Sequence, residues 1–347
     1  MKFIRRFSAV LIGIVFFVAG LLKLMDPVGA GLVVDEYFKF LYLRFLSFAS
    51  KPLAVAFALV ETLSGAALIT GVWRKLVSAV VAAMLVFFTG LTLALVIFNP
   101  SMDCGCFGEA IHLTHMQSFI KNLILCALWA LAFIPFRSIG KPQKIKYVSF
   151  SLGAAIVFFF TIHGLASIPM IDFATYSPGT ELMDIDELVP GDARILSFSD
   201  ADGQYCDSLA LVGNVVIISS YDPDKLSEKD WARVLDGLGT ASEKGFTTLL
   251  LVASTPSRMS EITDIPECTR FADRRDLMTL NRSNGGLTFI SDGQIVSKWP
   301  AGRTSELSRL RDPFRYDPTD LMMSYNTHKR LVAQAHALGA LALMLIL

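Results

Sequence analysis

The chain has 347 residues, of which 53% are hydrophobic and only 18% are charged, and its mean hydropathy is +0.52. This composition excludes a disordered chain and an ordinary soluble enzyme. The formal net charge of zero conceals a split, because residues 1–171 carry +8 and residues 172–347 carry −8. No basic block typical of nucleic-acid binding is present, and five cysteines are too few for a disulfide scaffold. We therefore expect two physical environments, one for each half of the chain.

Five segments of the first half are apolar enough to cross a lipid bilayer, which takes roughly 20 residues. In chain order they are residues 7–25, 52–73, 76–102, 116–136 and 147–171. The first follows basic residues, as a secretory signal peptide does, but its long apolar run and the later spans favour an uncleaved helix. Residues 331–347 also lack charge. We interpret them as a sixth membrane helix, with an anchor on the membrane surface as the alternative.

Basic residues predict the orientation of these spans. Segments 2–6, 74–75 and 137–146 contain nine Lys and Arg residues and no acidic residue. Two predicted spans lie between each of these segments and the next, so all three are on the same side of the membrane. By the positive-inside rule, these segments and the N-terminus are cytoplasmic. We therefore expect a bacterial inner-membrane protein whose residues 172–325 are periplasmic.

The predicted domain organisation has four parts. A four-helix membrane domain occupies residues 1–140, and a fifth transmembrane helix occupies residues 141–171. A periplasmic α/β domain follows at residues 172–325, and a transmembrane or anchoring helix at residues 326–347 ends the chain. Within the first part, the aromatic-rich residues 33–50 predict an interfacial helix at the outer rim of the bundle.

The sequence DCGCFG, residues 103–108, lies in the predicted outer loop between the third and fourth spans. Two cysteines separated by one residue point to opposite sides of an extended chain, so a bond between Cys104 and Cys106 requires a turn. Gly105 permits that turn because it has no Cβ. The resulting ring would be small and strained, and strained disulfides are easily reduced. The predicted oxidising compartment would let such a disulfide persist.

Three interpretations of this motif remain open. Cys104 and Cys106 can be a redox-active pair, or a static staple of a tight loop. With His112 and His115 they can also form a metal site, although the spacing matches no standard zinc pattern. Cys126, inside the fourth span, is predicted to be a core residue.

Four features lie along residues 7–136. They are the run Gly20-x-x-Lys23-x-x-Asp26-Pro27, Glu61 with Gly65 and Gly71, DCGCFG with Gly108 at its end, and Lys121-Asn122. Together they resemble the DoxX-like family, and within it the branch of the methylamine utilisation protein MauE. The resemblance implies a four-helix membrane bundle that matures or folds extracytoplasmic proteins through disulfides. It does not imply methylamine metabolism.

Lys23 and Glu61 are ionisable residues at membrane depth, where such groups are costly and usually pair. We expect an ion pair between them, and the alternative is that Lys23 extends to the headgroups with a structural role only. Lys121 is the nearest candidate for a positive charge that would stabilise a cysteine thiolate.

The acidic half reads as a mixed α/β domain. Its predicted elements are a strand at 214–220, a helix at 227–245, a strand at 246–253 and a hairpin at 287–299 with Asp292-Gly293 as its turn. This order resembles the thioredoxin fold. The resemblance implies a C-x-x-C pair at residues 221–225 and a cis-proline at residues 284–286, and neither is present. Cys206 and Cys268 can form a structural disulfide or remain separate.

The sequence thus predicts an α-helical transmembrane bundle fused to an extracytoplasmic thioredoxin-like α/β domain. We expect thiol-disulfide exchange, or maturation of extracytoplasmic proteins, through Cys104 and Cys106. The predicted supporting residues are Gly105, Gly108, Lys121, Lys23, Asp26 and Glu61. The alternatives are a non-catalytic scaffold with a structural CxC loop, and a small-solute or ion transporter built on the Lys23–Glu61 pair. The expected partners are the lipid bilayer and an extracytoplasmic client. No cofactor is evident, and a quinone does not follow from the residues alone.

Overall fold

The structure, a computed structural model, describes residues 2–134, 142, 144–184, 194–303 and 317–346. These residues pack as two units, one formed by Met1–Ala166 with Val332–Leu347 and the other by Ser167–Leu331. Parts of the predicted segments therefore lie outside the described residues, namely residues 1, 135–141, 143, 185–193, 304–316 and 347.

The described residues of the first unit are mainly helical. In chain order its helices are α1 (Lys2–Met25), α2 (Pro27–Phe40), α3 (Ser50–Thr70), α4 (Arg74–Phe98), α5 (His115–Phe133) and α6 (Lys144–Ala166). A 3-10 helix (Arg44–Ala49) precedes α3, and a short extended segment β1 (Cys106–Glu109) lies between α4 and α5.

Five helical stretches of the described residues are long and apolar enough to cross a membrane. They are Phe3–Met25, Arg44–Thr70, Arg74–Phe98, His115–Phe133 and Lys144–Ala166. All five predicted spans are therefore confirmed as apolar helices, and the chain is a multi-pass membrane protein. Four of them, α3, α4, α5 and α6, end three to five residues earlier than predicted. After α4, Asn99 takes a left-handed conformation (φ 41°) and Pro100 follows; α6 ends at Ala166, before Pro169.

Glycines allow α1 and α3 to pack against each other at very short range. A Cβ added to Gly20 would lie 2.2 Å from Thr62 Oγ1, and a Cβ added to Gly65 would lie 2.4 Å from the backbone nitrogen of Phe17. Larger residues at these two positions would force the helices apart. In a membrane, such small residues let backbones approach closely enough for dispersion forces to hold two helices together.

Two arginines of α1 bind the C-terminal ends of neighbouring helices. Arg5 Nε donates to the carbonyl of Ala132 in α5 at 3.0 Å, and Arg6 Nη1 donates to the carbonyl of Leu68 in α3 at 2.8 Å. The last carbonyls of a helix have no partner within the helix and carry partial negative charge, so a guanidinium stabilises them. Basic residues that indicate orientation in the sequence therefore also join three helices at one end of the bundle.

The second unit contains a mixed β-sheet with helices. Its elements are β2 (Phe198–Ser199), β3 (Asn214–Ser220), α7 (Glu228–Glu243), β4 (Thr247–Val252), α8 (Pro256–Ile262), β5 (Thr269–Ala272), α9 (Arg274–Leu280), β6 (Gly286–Ser291) and β7 (Gln294–Trp299). The described strands lie in the order β2-β5-β4-β3-β6-β7. Strands β3, β4 and β5 are parallel, whereas β6 and β7 form an antiparallel hairpin beside β3.

The predicted elements of this unit are confirmed, with ends shifted by a residue or two. Ser227 caps α7 through a reciprocal pair of hydrogen bonds with Asp230. Asp292 and Gly293 take positive φ values of 45° and 79°, as a two-residue hairpin turn requires. The central strand β3 is buried on both faces. Val216 and Ile218 pack in one hydrophobic cluster with α7, and Val215 and Ile217 pack in another with α9.

The C-terminal helix α10 (Pro318–Ile346) is longer than its apolar part. Within the described residues that part, Leu331–Ala342, is a short apolar helix below the length needed to span a bilayer. Its last turns pack on α6. A Cβ added to Gly153 of α6 would lie only 2.9 Å from Met344 Sδ. The helix is therefore present, and whether it spans the membrane stays a prediction.

The α1–α3 contact can be tested with one methyl group. Gly65→Ala places a Cβ against backbone, so we expect a lower thermal unfolding midpoint and a loss of about 1–3 kcal/mol in the free energy of unfolding. Gly90→Ala, in α4, is the matched control because its Cβ meets no atom within 4 Å. Equal midpoints for the two variants in the same detergent would contradict this packing.

Candidate functional site

The DCGCFG loop makes a tight turn that brings its two cysteines together. Gly105 and Gly108 have positive φ values of 62° and 64°, and the Gly108 amide donates to the Gly105 carbonyl at 3.1 Å. The turn places Cys104 Sγ 2.9 Å from Cys106 Sγ, with both residues as free thiols. A Cβ on Gly105 would lie 2.3 Å from Val33 Cγ1. The turn expected at Gly105 is thus present, and α2 covers it.

Helix α2 contributes a site residue that the sequence analysis did not single out. The Tyr37 hydroxyl donates to the Cys104 carbonyl at 2.7 Å and lies 4.0 Å from its sulfur. Burial raises the pKa of Tyr37, and the neighbouring cysteine sulfurs raise it further, so the hydroxyl stays protonated. The segment predicted only as an outer-rim helix therefore holds the cysteine loop in place. Its aromatic content was the available signal, but it does not identify which ring faces inward.

The two thiols differ strongly in acidity. The Cys104 thiol donates a hydrogen bond to Cys106, which is the largest cause that lowers the pKa of Cys106 to about 5; burial opposes the shift, and the charges of Lys121 and Lys23 assist it. The same hydrogen bond and burial raise the pKa of Cys104. Cys106 is therefore the thiolate of the pair. Cys104, which is 5% exposed, is the protonated partner.

Lys23 and Glu61 form the ion pair expected from the sequence. Lys23 Nζ donates to Glu61 Oε2 at 2.7 Å, and their side chains are 15% and 8% exposed. The close approach of α1 and α3 brings these groups together. Lys23 lies one turn after Gly20 in α1, and Glu61 is next to Thr62 in α3, where the two helices are in contact. Lys23 Nζ also lies 6.0 Å from the ring centroid of Phe88. Removing either partner would leave an uncompensated charge at membrane depth.

Asp26, three residues after Lys23, is the N-cap of α2. Its side chain accepts from the Gly29 amide at 2.9 Å and caps the N-terminus of α2, where Pro27 is the first helical residue. The Asp-Pro pair of the sequence motif therefore turns the chain from α1 into α2. This positions Tyr37 and Val33 over the cysteine loop.

Helix α5 supplies the second cation. It begins after Thr114, which forms a capping box with Gln117. Two turns into the helix, Lys121 Nζ lies 5.0 Å from the ring centroid of Phe107 in the cysteine loop. Its neighbour Asn122 is buried and donates to the Phe88 carbonyl and to Thr92 Oγ1 at 3.2 Å each, which joins α5 to α4.

Below the cysteine pair lies a largely apolar cavity of about 170 Å³, which we call the thiol pocket. Side chains of α1, α2, α3, α4 and α5 line it. Six predicted site residues line it: Cys104, Gly105, Cys106, Lys23, Glu61 and Lys121. The other two, Gly108 and Asp26, are not among the lining residues. The structure thus brings together residues that lie up to about a hundred positions apart in the sequence.

The histidines of the metal interpretation lie elsewhere in the loop. His112 Nδ1 contacts Asp103 Oδ2 at 2.9 Å on the surface, and His115 Nε2 lies 2.8 Å from the Met102 carbonyl. Among the described residues, no group of three or more His, Cys, Asp or Glu side chains could hold one metal ion. The proposed set of Cys104, Cys106, His112 and His115 is therefore not assembled.

The other three cysteines stand apart from the thiol pocket. Cys126 packs among the membrane helices and lies 3.6 Å from Thr89 Oγ1, as expected of a core residue. Cys206 and Cys268 are free thiols that pack in different hydrophobic clusters of the second unit. They are two separate residues, not a disulfide.

In the second unit, hydrogen bonds close the loop where the thioredoxin resemblance would place a thiol pair. Asn284 Nδ2 donates to the Asp222 carbonyl at 2.7 Å, and Asn284 Oδ1 accepts from the Asp222 amide at 3.1 Å. The Ser220 hydroxyl donates to the same oxygen at 3.0 Å. Asn284 thus binds the loop that follows β3 to the loop that precedes β6.

The acidity of Cys106 can be measured by alkylation. With a pKa of about 5, Cys106 is a thiolate above that pH, so iodoacetamide labelling of its peptide should level off by neutral pH. Lys121→Gln removes a neighbouring charge and should slow labelling at pH 5 by about fivefold. Lys75→Gln, at the opposite end of α4, is the control and should leave the profile unchanged. Equal profiles for both variants would exclude Lys121 as the stabilising cation.

The Lys23–Glu61 pair can be tested by single and double substitution. Glu61→Leu leaves a buried ammonium without its partner and should cost about 3–5 kcal/mol in the free energy of unfolding. Lys23→Met combined with Glu61→Leu should recover much of this loss. Lys39→Met breaks the exposed Lys39–Asp35 pair and should cost less than about 1 kcal/mol. A double variant as unstable as Glu61→Leu would contradict the pairing.

Comparison with known proteins bears on the membrane part alone. The family model described as methylamine utilisation protein MauE matches residues 1–135. A search of curated proteins and a search of solved structures each found no match. The matched range includes the described spans α1, α3, α4 and α5, the helix α2, the cysteine loop and every residue named above on the wall of the thiol pocket. Residues 1–135 are therefore similar to the MauE family, in a chain that is a multi-pass membrane protein.

Proposed function

We propose that this protein exchanges disulfides with extracytoplasmic client proteins through Cys104 and Cys106 and so supports their maturation. The observation that carries the proposal is the 2.9 Å contact between one thiolate and one protonated thiol, beside two lysines. A staple needs no such difference in acidity. Exchange does need it, because the thiolate is the form that attacks a disulfide.

Each residue has a definite part in this exchange. The Cys106 thiolate forms the mixed disulfide with a client sulfur, and Cys104 is the thiol that closes or opens the pair. When the oxidised pair acts on a client, the client dithiol loses two electrons and two protons, and its S–S bond forms. The Cys104–Cys106 bond breaks, Cys104 takes up one proton as a thiol, Cys106 is left as the thiolate, and the other proton goes to solvent. Lys121 stabilises the sulfur that leaves with negative charge, and Tyr37 fixes the loop backbone.

We place the cysteine loop on the oxidising side of a bacterial inner membrane, with the N-terminus in the cytoplasm. The distribution of basic residues supports this orientation. The loop and residues 172–325 then share the periplasmic side.

The second unit is proposed to be a thioredoxin-like domain that binds the client without reacting. Supporting this are the strand order β4-β3-β6-β7, the parallel β3–β4 pair and the antiparallel hairpin. Its own thiols, Cys206 and Cys268, lie on different faces of the sheet and cannot cooperate. Asn284 is hydrogen-bonded to the backbone of Asp222 in the loop after β3, and the described residues of that loop include no cysteine. The domain would therefore bind the client without reacting with it.

Trapping of mixed disulfides tests the exchange. Cys104→Ser keeps a hydroxyl donor for the Cys106 thiolate. This thiolate can attack a client disulfide and displace one client thiolate, but no Cys104 thiol is left to resolve the mixed disulfide, so we expect client proteins to accumulate on Cys106 and to be released by dithiothreitol. Cys104→Ala, which lacks the donor, should trap less because its Cys106 is less acidic.

The trapping experiment has two control variants. Cys126→Ser alters a thiol outside the pocket and should behave as the unaltered protein, and Cys104→Ser with Cys106→Ser should trap nothing. If Cys104→Ser forms no mixed disulfide in native membranes while remaining folded, exchange is excluded and the scaffold with a structural CxC loop takes its place.

A further inference from the structure

The thiol pocket is larger than the proposed exchange requires. Client thiols need to reach only Cys106, yet a cavity of about 170 Å³ extends from the cysteine pair among four candidate spans. An apolar cavity of about 150 Å³ is known to be large enough to bind a benzene ring. The thiol pocket therefore has room for one six-membered ring beside the sulfurs.

The wall of the pocket is largely apolar, and besides the two cysteines its polar side chains are Lys23, Tyr37, Glu61, Thr92, Lys121 and Asn122. Phe16, Phe57 and Phe88 supply aromatic surface, whereas Lys23 and Glu61 lie on the same wall as the two cysteines. An ammonium has three protons, and Lys23 donates one of them to Glu61 at 2.7 Å. The ammonium group of Lys23 can donate a second hydrogen bond to a carbonyl oxygen of a ligand. A few placed polar groups in an apolar cavity are the usual composition of a ligand site.

The chemistry of the thiol pair restricts what this ligand can be. If the pair is to oxidise clients repeatedly, something must remove two electrons from it after each cycle. The lining favours a flat, largely apolar molecule that carries a carbonyl oxygen. Among two-electron acceptors, nicotinamide and flavin nucleotides are much larger than a cavity of about 170 Å³, whereas a quinone has a single ring of suitable size and two carbonyl oxygens.

We propose that the thiol pocket binds the ring of a lipid-soluble quinone, which reoxidises Cys104 and Cys106. This inference rests on the proposed exchange function. In the step, the S–S bond forms and the sulfur pair gives two electrons to the quinone. Cys104 releases one proton and solvent supplies the second, because Cys106 is already a thiolate. Both carbonyl oxygens become hydroxyls, and the product is a quinol. Lys23 holds one carbonyl oxygen and acts as a positioning residue.

Binding is measured on a protein that cannot exchange. The full chain with Cys104→Ser and Cys106→Ser is titrated in detergent with a benzoquinone that carries one isoprene unit. We expect saturable binding at one site. In the same background, Ala54→Phe fills the pocket from α3 and should weaken binding at least about tenfold. Ala83→Phe is the matched control, since Ala83 is exposed on α4 outside the pocket, and it should bind as its parent does.

The same titration excludes a simple lipid pocket. A benzene ring with the same isoprene unit but no carbonyls should bind more weakly than the quinone. Equal binding of the two compounds, equal binding to Ala54→Phe and its parent, or no binding at all would overturn the proposal. Leu91→Trp fills the pocket from α4 and replaces Ala54→Phe if that variant does not fold.

Electron transfer is then measured with reduced, unaltered protein under argon. We expect one quinol and one Cys104–Cys106 disulfide for each protein molecule. Lys23→Met combined with Glu61→Leu, which leaves no unpaired charge, should raise the KM for quinone more than it lowers kcat. If Cys104→Ser traps clients but the unaltered protein reduces no quinone, this inference fails and the exchange function stands. If quinone is reduced but no client is trapped, the quinone site stands and the proposed exchange fails.

Discussion

The close approach of α1 and α3 is the constraint on which the rest of the membrane unit depends. Gly20 and Gly65 bring the two backbones into direct contact, and only at that separation can Lys23 of one helix reach Glu61 of the other at 2.7 Å. The pair neutralises two charges that would otherwise be unstable in lipid. It also fixes an ammonium group on the wall of the thiol pocket, so a packing requirement and an electrostatic one are met by the same contact.

The cysteine loop is asymmetric because its surroundings are. Its backbone is held by Tyr37 on one side, and its sulfurs face Lys121 and Lys23 on the other. Two chemically identical thiols consequently differ in acidity, since one donates the hydrogen bond that the other accepts. The unit thus places a thiolate and a protonated thiol in one turn of the chain. The described residues of the second unit contain no such pair of thiols, because Cys206 and Cys268 pack in different hydrophobic clusters.

Local patterns were sufficient for most elements of the fold. Uninterrupted apolar runs identified the five membrane helices, and the Ser227 cap and the Asp292-Gly293 turn identified α7 and the hairpin. Helix ends were less certain, because a bend at Asn99 depends on a backbone conformation that hydropathy does not report. The role of α2 could not be predicted at all. Its aromatic residues are typical of any interfacial helix, and only packing shows that Tyr37 faces Cys104.

The sequence by itself determined that the chain crosses a membrane, that its halves differ in charge, and that Cys104 and Cys106 lie in a turn with Gly105 between them. These properties depend on composition and on contacts between near neighbours, so a linear pattern contains them. The tertiary structure alone decided which charges meet the thiols, that His112 and His115 lie apart from them, and that a cavity opens beneath them. Such properties depend on distances between helices far apart in the chain, and those distances are set by the packing of small side chains.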